Sequence, residues 1–207
     1  MPTNLRSLSE LERDALREVA NIGAGHAATA LSQMTGRKIM IDVPEVSVQQ
    51  LEAVTELIGA ADTIIAAVLM HVMGDLTGRT LMVLPETSAR GLCDILLRRT
   101  SQGDSFDGME QSTIKETGNI LCSAYLNALS EFMGMMLVPS VPALVVDQAG
   151  AVLTTAYLNF GHARDWVICV ETAFRVEGST EKLQGQFVLM PDSPSLTAIF
   201  DAIRLTR

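Results

Sequence analysis

The chain has 207 residues, with 15 Lys plus Arg against 24 Asp plus Glu and a formal charge of −9; such an acidic surface repels phosphate backbones and anionic lipids, which excludes nucleic acid and a membrane surface as partners. Apolar residues make up 48% and aromatic ones 4%, and a chain of this length buries roughly 70% of its unfolded surface without metal or disulfide help. Mean hydropathy is positive (+0.27), yet the longest apolar stretch, Leu57 to Met73, is broken by Asp62 and His71 and falls short of the roughly 18 uninterrupted residues a spanning helix needs.

Residues 8–34 carry apolar positions at helical spacing, opened by Ser7-x-x-Glu10, the pattern of a capping box. Lys38 to Val43 reads as a short strand ended by Pro44, and Val48 to Ile58 fits either a helix or an irregular strand. Asp62 to Met73 and Arg79 to Leu84 are apolar and rich in β-branched residues, and Gly74-Asp-Leu-Thr-Gly78 joins them as a hairpin. Glu86 to Arg99 is a helix with arginines at its C-terminal end, where the helix dipole favours cations. After the polar stretch Thr100 to Asp107 the order recurs: helix 108–134, strand 141–146, an undecided element near 150–160, strands 165–176 and 184–190, and helix 193–205.

That recurrence is visible residue by residue. Glu18-Val-Ala-Asn21-Ile22 returns as Glu116-Thr-Gly-Asn119-Ile120, 98 residues later, and the same displacement carries Ala30-Leu31-Ser32, Gly36, Val43-Pro44 and Val48 onto Ala128-Leu129-Ser130, Gly134, Val141-Pro142 and Val146. Later matches, Gly78 to Pro85 on Gly185 to Pro191, need a displacement of about 106, which places an insertion around Val176 to Lys182. The expectation is one domain over 1–207 made of two repeats, about 1–103 and 104–207. Its fold class is α/β (α+β), a pseudo-twofold duplication with a largely antiparallel sheet flanked by helices.

A duplicated helix must repeat its core face, but its wet face is free to diverge. At 100° per residue, Leu16, Val19, Ala20, Gly23, Ala27, Ala30 and Leu31 share one side of the first helix, and Asp14, Glu18, Asn21 and Gly25 the other. In the second, Ser112, Glu116, Asn119 and Ser123 form the matching wet stripe. Solvation does not require this match. A carboxylate pairs with a cation, and a carboxamide donates and accepts at once, which suits it to orient a water for attack on a phosphoryl group. Gly25 and Ser123, with Gly23 nearby, leave a low flank for another protein's backbone, although a helix glycine also serves plain helix packing. Other signals carry less. Gly23-Ala-Gly25 lacks the flanking features of a phosphate loop, His26, His71 and His162 lack metal spacing, and Asp104 to Gly108 lacks a calcium loop's ligands. Asp107 with Glu110 reads as a helix cap. Cys93, Cys122 and Cys169, odd in number and widely spaced, indicate neither disulfides nor zinc. With no apolar signal core at the N-terminus, the sequence reads as soluble and cytoplasmic.

Asp or Ser, three residues, Glu, two residues, Asn, twenty-two residues, Pro resembles the signature of the CheC/CheX/FliY phosphatases of bacterial and archaeal chemotaxis. It fits twice: Asp14, Glu18, Asn21, Pro44, then Ser112, Glu116, Asn119, Pro142. The resemblance covers nearly the whole chain. It implies hydrolysis of the aspartyl phosphate on the response regulator CheY, with Glu18 and Glu116 pairing with the regulator's active-site lysine and Asn21 and Asn119 holding the attacking water. Asp14, Ser112, Pro44 and Pro142 would be supporting positions, the prolines ending the strand beside each helix. It implies no cofactor or metal of the chain's own, the Mg2+ being supplied by the regulator, and phosphorylated CheY and the receptor deamidase CheD as partners. The final helix, Ala198 to Ile203, is the provisional place for the CheD contact. Two alternatives stand beside the enzyme: a non-catalytic adaptor for phosphorylated CheY or CheD, and a FliY-like component of the flagellar switch.

Overall fold

A computed structural model describes residues 9–100, 103, 105–160, 166–178 and 182–205. The chain order is helix α1 (Glu10–Thr35), strands β1 (Ile39–Ile41) and β2 (Glu45–Gln50), helix α2 (Leu51–Ile58), hairpin β3 (Ile64–Gly74) and β4 (Gly78–Pro85), and helix α3 (Glu86–Leu97). Then come α4 (Gly108–Met133), β5 (Leu137–Pro139), β6 (Ala143–Gln148), α5 (Ala149–Phe160), β7 (Trp166–Val176), β8 (Lys182–Pro191) and α6 (Ser193–Leu205). The undecided segment 48–58 proves to be both things in turn, the end of a strand and then a helix. His162, Ser7, Asp104 and the start of the strand expected at 165 lie outside the described residues.

One eight-stranded antiparallel sheet runs β1-β7-β8-β4-β3-β5, with β2 continuing β1 along β7 and β6 continuing β5 along β3. The repeats therefore exchange edges: β1 and β2 pair with a strand of the second repeat, and β5 and β6 with a strand of the first. Helices cover both faces. Along β3, Ala66, Val68, Met70 and Val72 face the core shared with α1, α3, α4 and α6, while Ile65 and Ala67 face a smaller core under α2 and α5. Burial on both sides explains why this strand reads as a continuous apolar run rather than a polar–apolar alternation.

Three expectations change. The first helix is capped by Ser9 and Glu12, two residues beyond the Ser7-x-x-Glu10 pattern: Glu12 N–H donates to Ser9 Oγ (3.3 Å) and Ser9 N–H to Glu12 Oε2 (2.8 Å). Glu12 wins because its other carboxylate oxygen also accepts from Arg204 Nε of α6 (2.8 Å), a contact distant in sequence. The extra length of the second repeat is not confined to 176–182, since α5 has 12 residues against 8 in α2. Lastly, neither Pro44 nor Pro142 ends its strand; each sits between two. The cap on α4 is the expected one, with Asp107 Oδ1 accepting from the N–H groups of Met109 (2.8 Å) and Glu110 (2.9 Å).

Candidate functional site

Helices α1 and α4 are both 26 residues long, both opened by a capping box and both closed by a left-handed glycine, Gly36 at φ 65° and Gly134 at φ 64°. They lie side by side on the larger core. A Cβ on Gly23 would come within 2.6 Å of Tyr125 Cδ1, so this glycine admits the tyrosine ring and does not belong to the wet flank. Tyr125 is held in turn by stacking on Phe187 at 4.8 Å between ring centres and by a 3.0 Å hydrogen bond between its hydroxyl and Thr172 Oγ1. Gly118 meets Val68 equally closely. These contacts fix the rotation of both helices about their axes.

The rotation so fixed turns the matched stripes outward. Asp14, Glu18, Ser112 and Glu116 are exposed, and Asn21 and Asn119 are half-buried. Spacing of i and i+3 sets each Glu and its Asn about 5–6 Å apart at Cβ, on one face. Among the described residues, the side chains of Glu18, Asn21, Glu116 and Asn119 have neither hydrogen bond nor ion pair, so their polar valences are open to a partner. Asp14 makes an exposed pair with Arg17 (3.1 Å), which contributes little to stability. Gly25 is exposed and a Cβ there would meet nothing within 4 Å, leaving the low flank as expected. Ser123 is half-buried. Cys122 is fully buried, and burial pushes its thiol up to about 12, so it is inert beside the stripe.

The prolines mark a shared distortion. Between Ile41, opposite Phe174, and Glu45, opposite Glu171, three edge residues face two on β7. Between Pro139, opposite Val72, and Ala143, opposite Leu69, three again face two on β3. Each is a β-bulge, and each is anchored alike: Asp42 N–H donates to Ala173 O (3.0 Å), and Ser140 N–H to His71 O (2.9 Å). A proline is tolerated there because an edge bulge asks for no ladder donor. Ile41 and Val46 both pack on the larger core. Counting by twos from each end sets Val43 and Pro44 on that same face, and likewise Val141 and Pro142. The recurrence of the Val-Pro dipeptide in the sequence was the only linear trace of this. Pro44 and Pro142 lie on opposite edges of the sheet, five strand spacings or about 24 Å apart.

Among the described residues no helix is long and apolar enough to cross a membrane, and no three His, Cys, Asp or Glu side chains converge to hold a metal ion. Two equal helices carrying the same outward Glu–Asn pair over an edge-bulged antiparallel sheet define a class: a duplicated scaffold presenting one polar probe twice. The chain belongs to the CheC-like family, whose model matches residues 11–48 and 109–146, the same stretch in each repeat. It is 31% identical over 199 residues to the CheY-P phosphatase CheC of Bacillus subtilis, covering 95% of both chains. It is 30% identical over 127 residues to the flagellar motor switch phosphatase FliY of the same organism, covering 61% of this chain but 30% of that one. In structure it resembles Thermotoga maritima FliY at a TM-score of 0.79 and 22% identity, covering 97% of this chain and 99% of that one. The middle domain of H. pylori FliM follows at 0.61 and 15%, covering 94% and 99%.

Proposed function

We propose that the chain is a hydrolase of the aspartyl phosphate on the response regulator CheY, acting through two sites, Glu18 with Asn21 and Glu116 with Asn119. The observation that carries this reading is the pair of unpartnered Glu–Asn stripes held in the same outward orientation on two helices. The fold alone would not suffice, since the FliM middle domain shares it as well as FliY. Family membership and the likeness to a CheY-P phosphatase over nearly the whole chain support it.

In this mechanism each helix lies across the regulator's phosphorylation site. The Glu carboxylate pairs with the regulator's lysine and sets the register of docking. The Asn amide accepts a hydrogen bond from a water and fixes it in line with the phosphorus, so the effect is one of positioning. The chain supplies no nucleophile and no general base, and the Mg2+ belongs to the regulator. Asp14, Ser112, Pro44 and Pro142 support the two sites. The whole chain acts as one domain of two repeats in the cytoplasm, with CheD as a second partner.

Release of phosphate from phosphorylated CheY in single-turnover assays tests this. Asn21→Ala with Asn119→Ala should slow release by about a hundredfold or more, the usual scale for removing a group that orients the reacting atoms. The two single variants should lose unequal shares, because the flanks differ: Asp14 and Gly25 against Ser112 and Ser123. An undiminished rate in the double variant would refute the mechanism. A wild-type protein that binds phosphorylated CheY without speeding release would establish the adaptor in its place.

A further inference from the structure

Val43 and Val141 occupy equivalent positions in the two bulges and are 74% and 87% exposed. No other large apolar side chain among the described residues is as open. Solvent exposure of one valine is unremarked in any protein; exposure of the same one twice, at equivalent places in the two repeats, is not explained by the fold. An unbulged strand would send one member of each Val-Pro pair to the opposite face. The extra residue turns both toward the helix, where Pro44 is buried and Val43 is left proud of it.

The level of Val43 along α1 follows from two contacts. Ile39 N–H donates to Ser32 Oγ (2.9 Å), and Val46 lines one small apolar cavity with Leu16, Val19 and Ala20. A strand advances about 3.3 Å and a helix about 1.5 Å per residue, so each strand step passes about two helix residues. Val43 therefore stands level with the turn Gly23 to Gly25, two to four residues beyond Asn21. By the displacement of 98 residues the corresponding positions in the second repeat are Val141 and Leu121 to Ser123.

We infer that Val43 and Val141 are the apolar seats on which phosphorylated CheY rests at the two sites, an inference that stands on the functional reading above. The surface is an exposed methyl pair at the asparagine end of a stripe whose unpaired carboxylate lies about 8–10 Å further along the helix, and its complement is a lysine with an apolar patch at that remove. The glutamate supplies orientation and the valine supplies desolvated contact area. Burial of a valine side chain is worth one to two decades of affinity, so the valines govern how long the partner stays while the asparagines govern what happens to it.

The test measures binding of cognate CheY, activated with beryllofluoride and fluorescently labelled, together with phosphate release from phosphorylated CheY. Val43→Ser with Val141→Ser should weaken binding and raise KM about tenfold, with kcat reduced less than twofold and the thermal midpoint of this exposed double variant unchanged. Asn21→Ala with Asn119→Ala should show the reverse split, loss of kcat with little change in binding. Binding by the double serine variant equal to wild type overturns the valine seats and leaves the phosphatase reading intact. A shift in the oligomeric state of the serine variant with CheY binding untouched assigns the valines to a second copy of the chain and likewise overturns them. A wild type that neither binds nor hydrolyses overturns both.

Discussion

Four side chains, Glu18, Asn21, Glu116 and Asn119, have neither hydrogen bond nor ion pair among the described residues. Arg17 has Asp14, Arg204 has Glu12, and Arg175 has Asp42. The glycines near the first stripe separate two roles that composition merges. Gly23 is filled by Tyr125, while Gly25 faces open space. Gly25→Ala should stabilise the protein by roughly 0.5–1 kcal/mol through helix propensity and yet slow phosphate release, since the added methyl stands where the partner approaches. Gly23→Ala should destabilise by about 1–3 kcal/mol through overpacking. Urea unfolding reads both, and changes of equal sign would contradict this assignment.

Among the elements, the two long helices depend on ends that are distant in sequence. The Glu12 carboxyl is held below its ordinary 4.5, chiefly by the hydrogen bond from Arg204 and then by Ser9 N–H. Asp107 is held below 3.8, first by Glu110 N–H and then by Arg99, and Asp42 below 3.8 by Arg175 and Lys182. A carboxyl with a depressed folded-state pKa stabilises the fold fully above its unfolded value and loses that contribution as pH falls through the folded one. Arg204→Gln should therefore lower the thermal midpoint by a constant amount above the ordinary 4.5 of a glutamate, with the difference from wild type shrinking as pH falls below it and lost once Glu12 is protonated in the folded state too. A difference that stays unchanged in acid would show that Arg204 acts by packing alone. A capping-box pattern was legible at both helix starts, Ser-x-x-Glu at the first and Asp-x-x-Glu at the second, but choosing Ser9 over Ser7 required α6. The bulges were not legible, because an extra residue is defined only against the strand it faces.

At the scale of the molecule, the repeats are interlocked. β1 and β2 hold the edge of β7, and β5 and β6 hold the edge of β3, with β4 against β8 between them. A chain opened at Gly103, expressed as two pieces, should co-purify as one particle with the native circular dichroism. Either piece alone lacks the partner for two of its own strands and should remain unfolded or aggregate. Two pieces that fold separately and elute apart would refute the exchange. The arrangement also sets the two bulges at opposite edges of the sheet.

The sequence by itself determined the duplication, the helices and their wet stripes, the mixed helix–sheet class and the family. All of these are written in spacings along one strand of chain: 3.6 residues for a helix face, 98 for the repeat, twenty-two from Asn to Pro. Tertiary structure alone decided the exchange of sheet edges, the division of labour between Gly23 and Gly25, and the bulges at Val43 and Val141. Those depend on which strand or ring lies opposite, and packing across 50 to 150 residues of intervening chain leaves no periodic mark in the sequence.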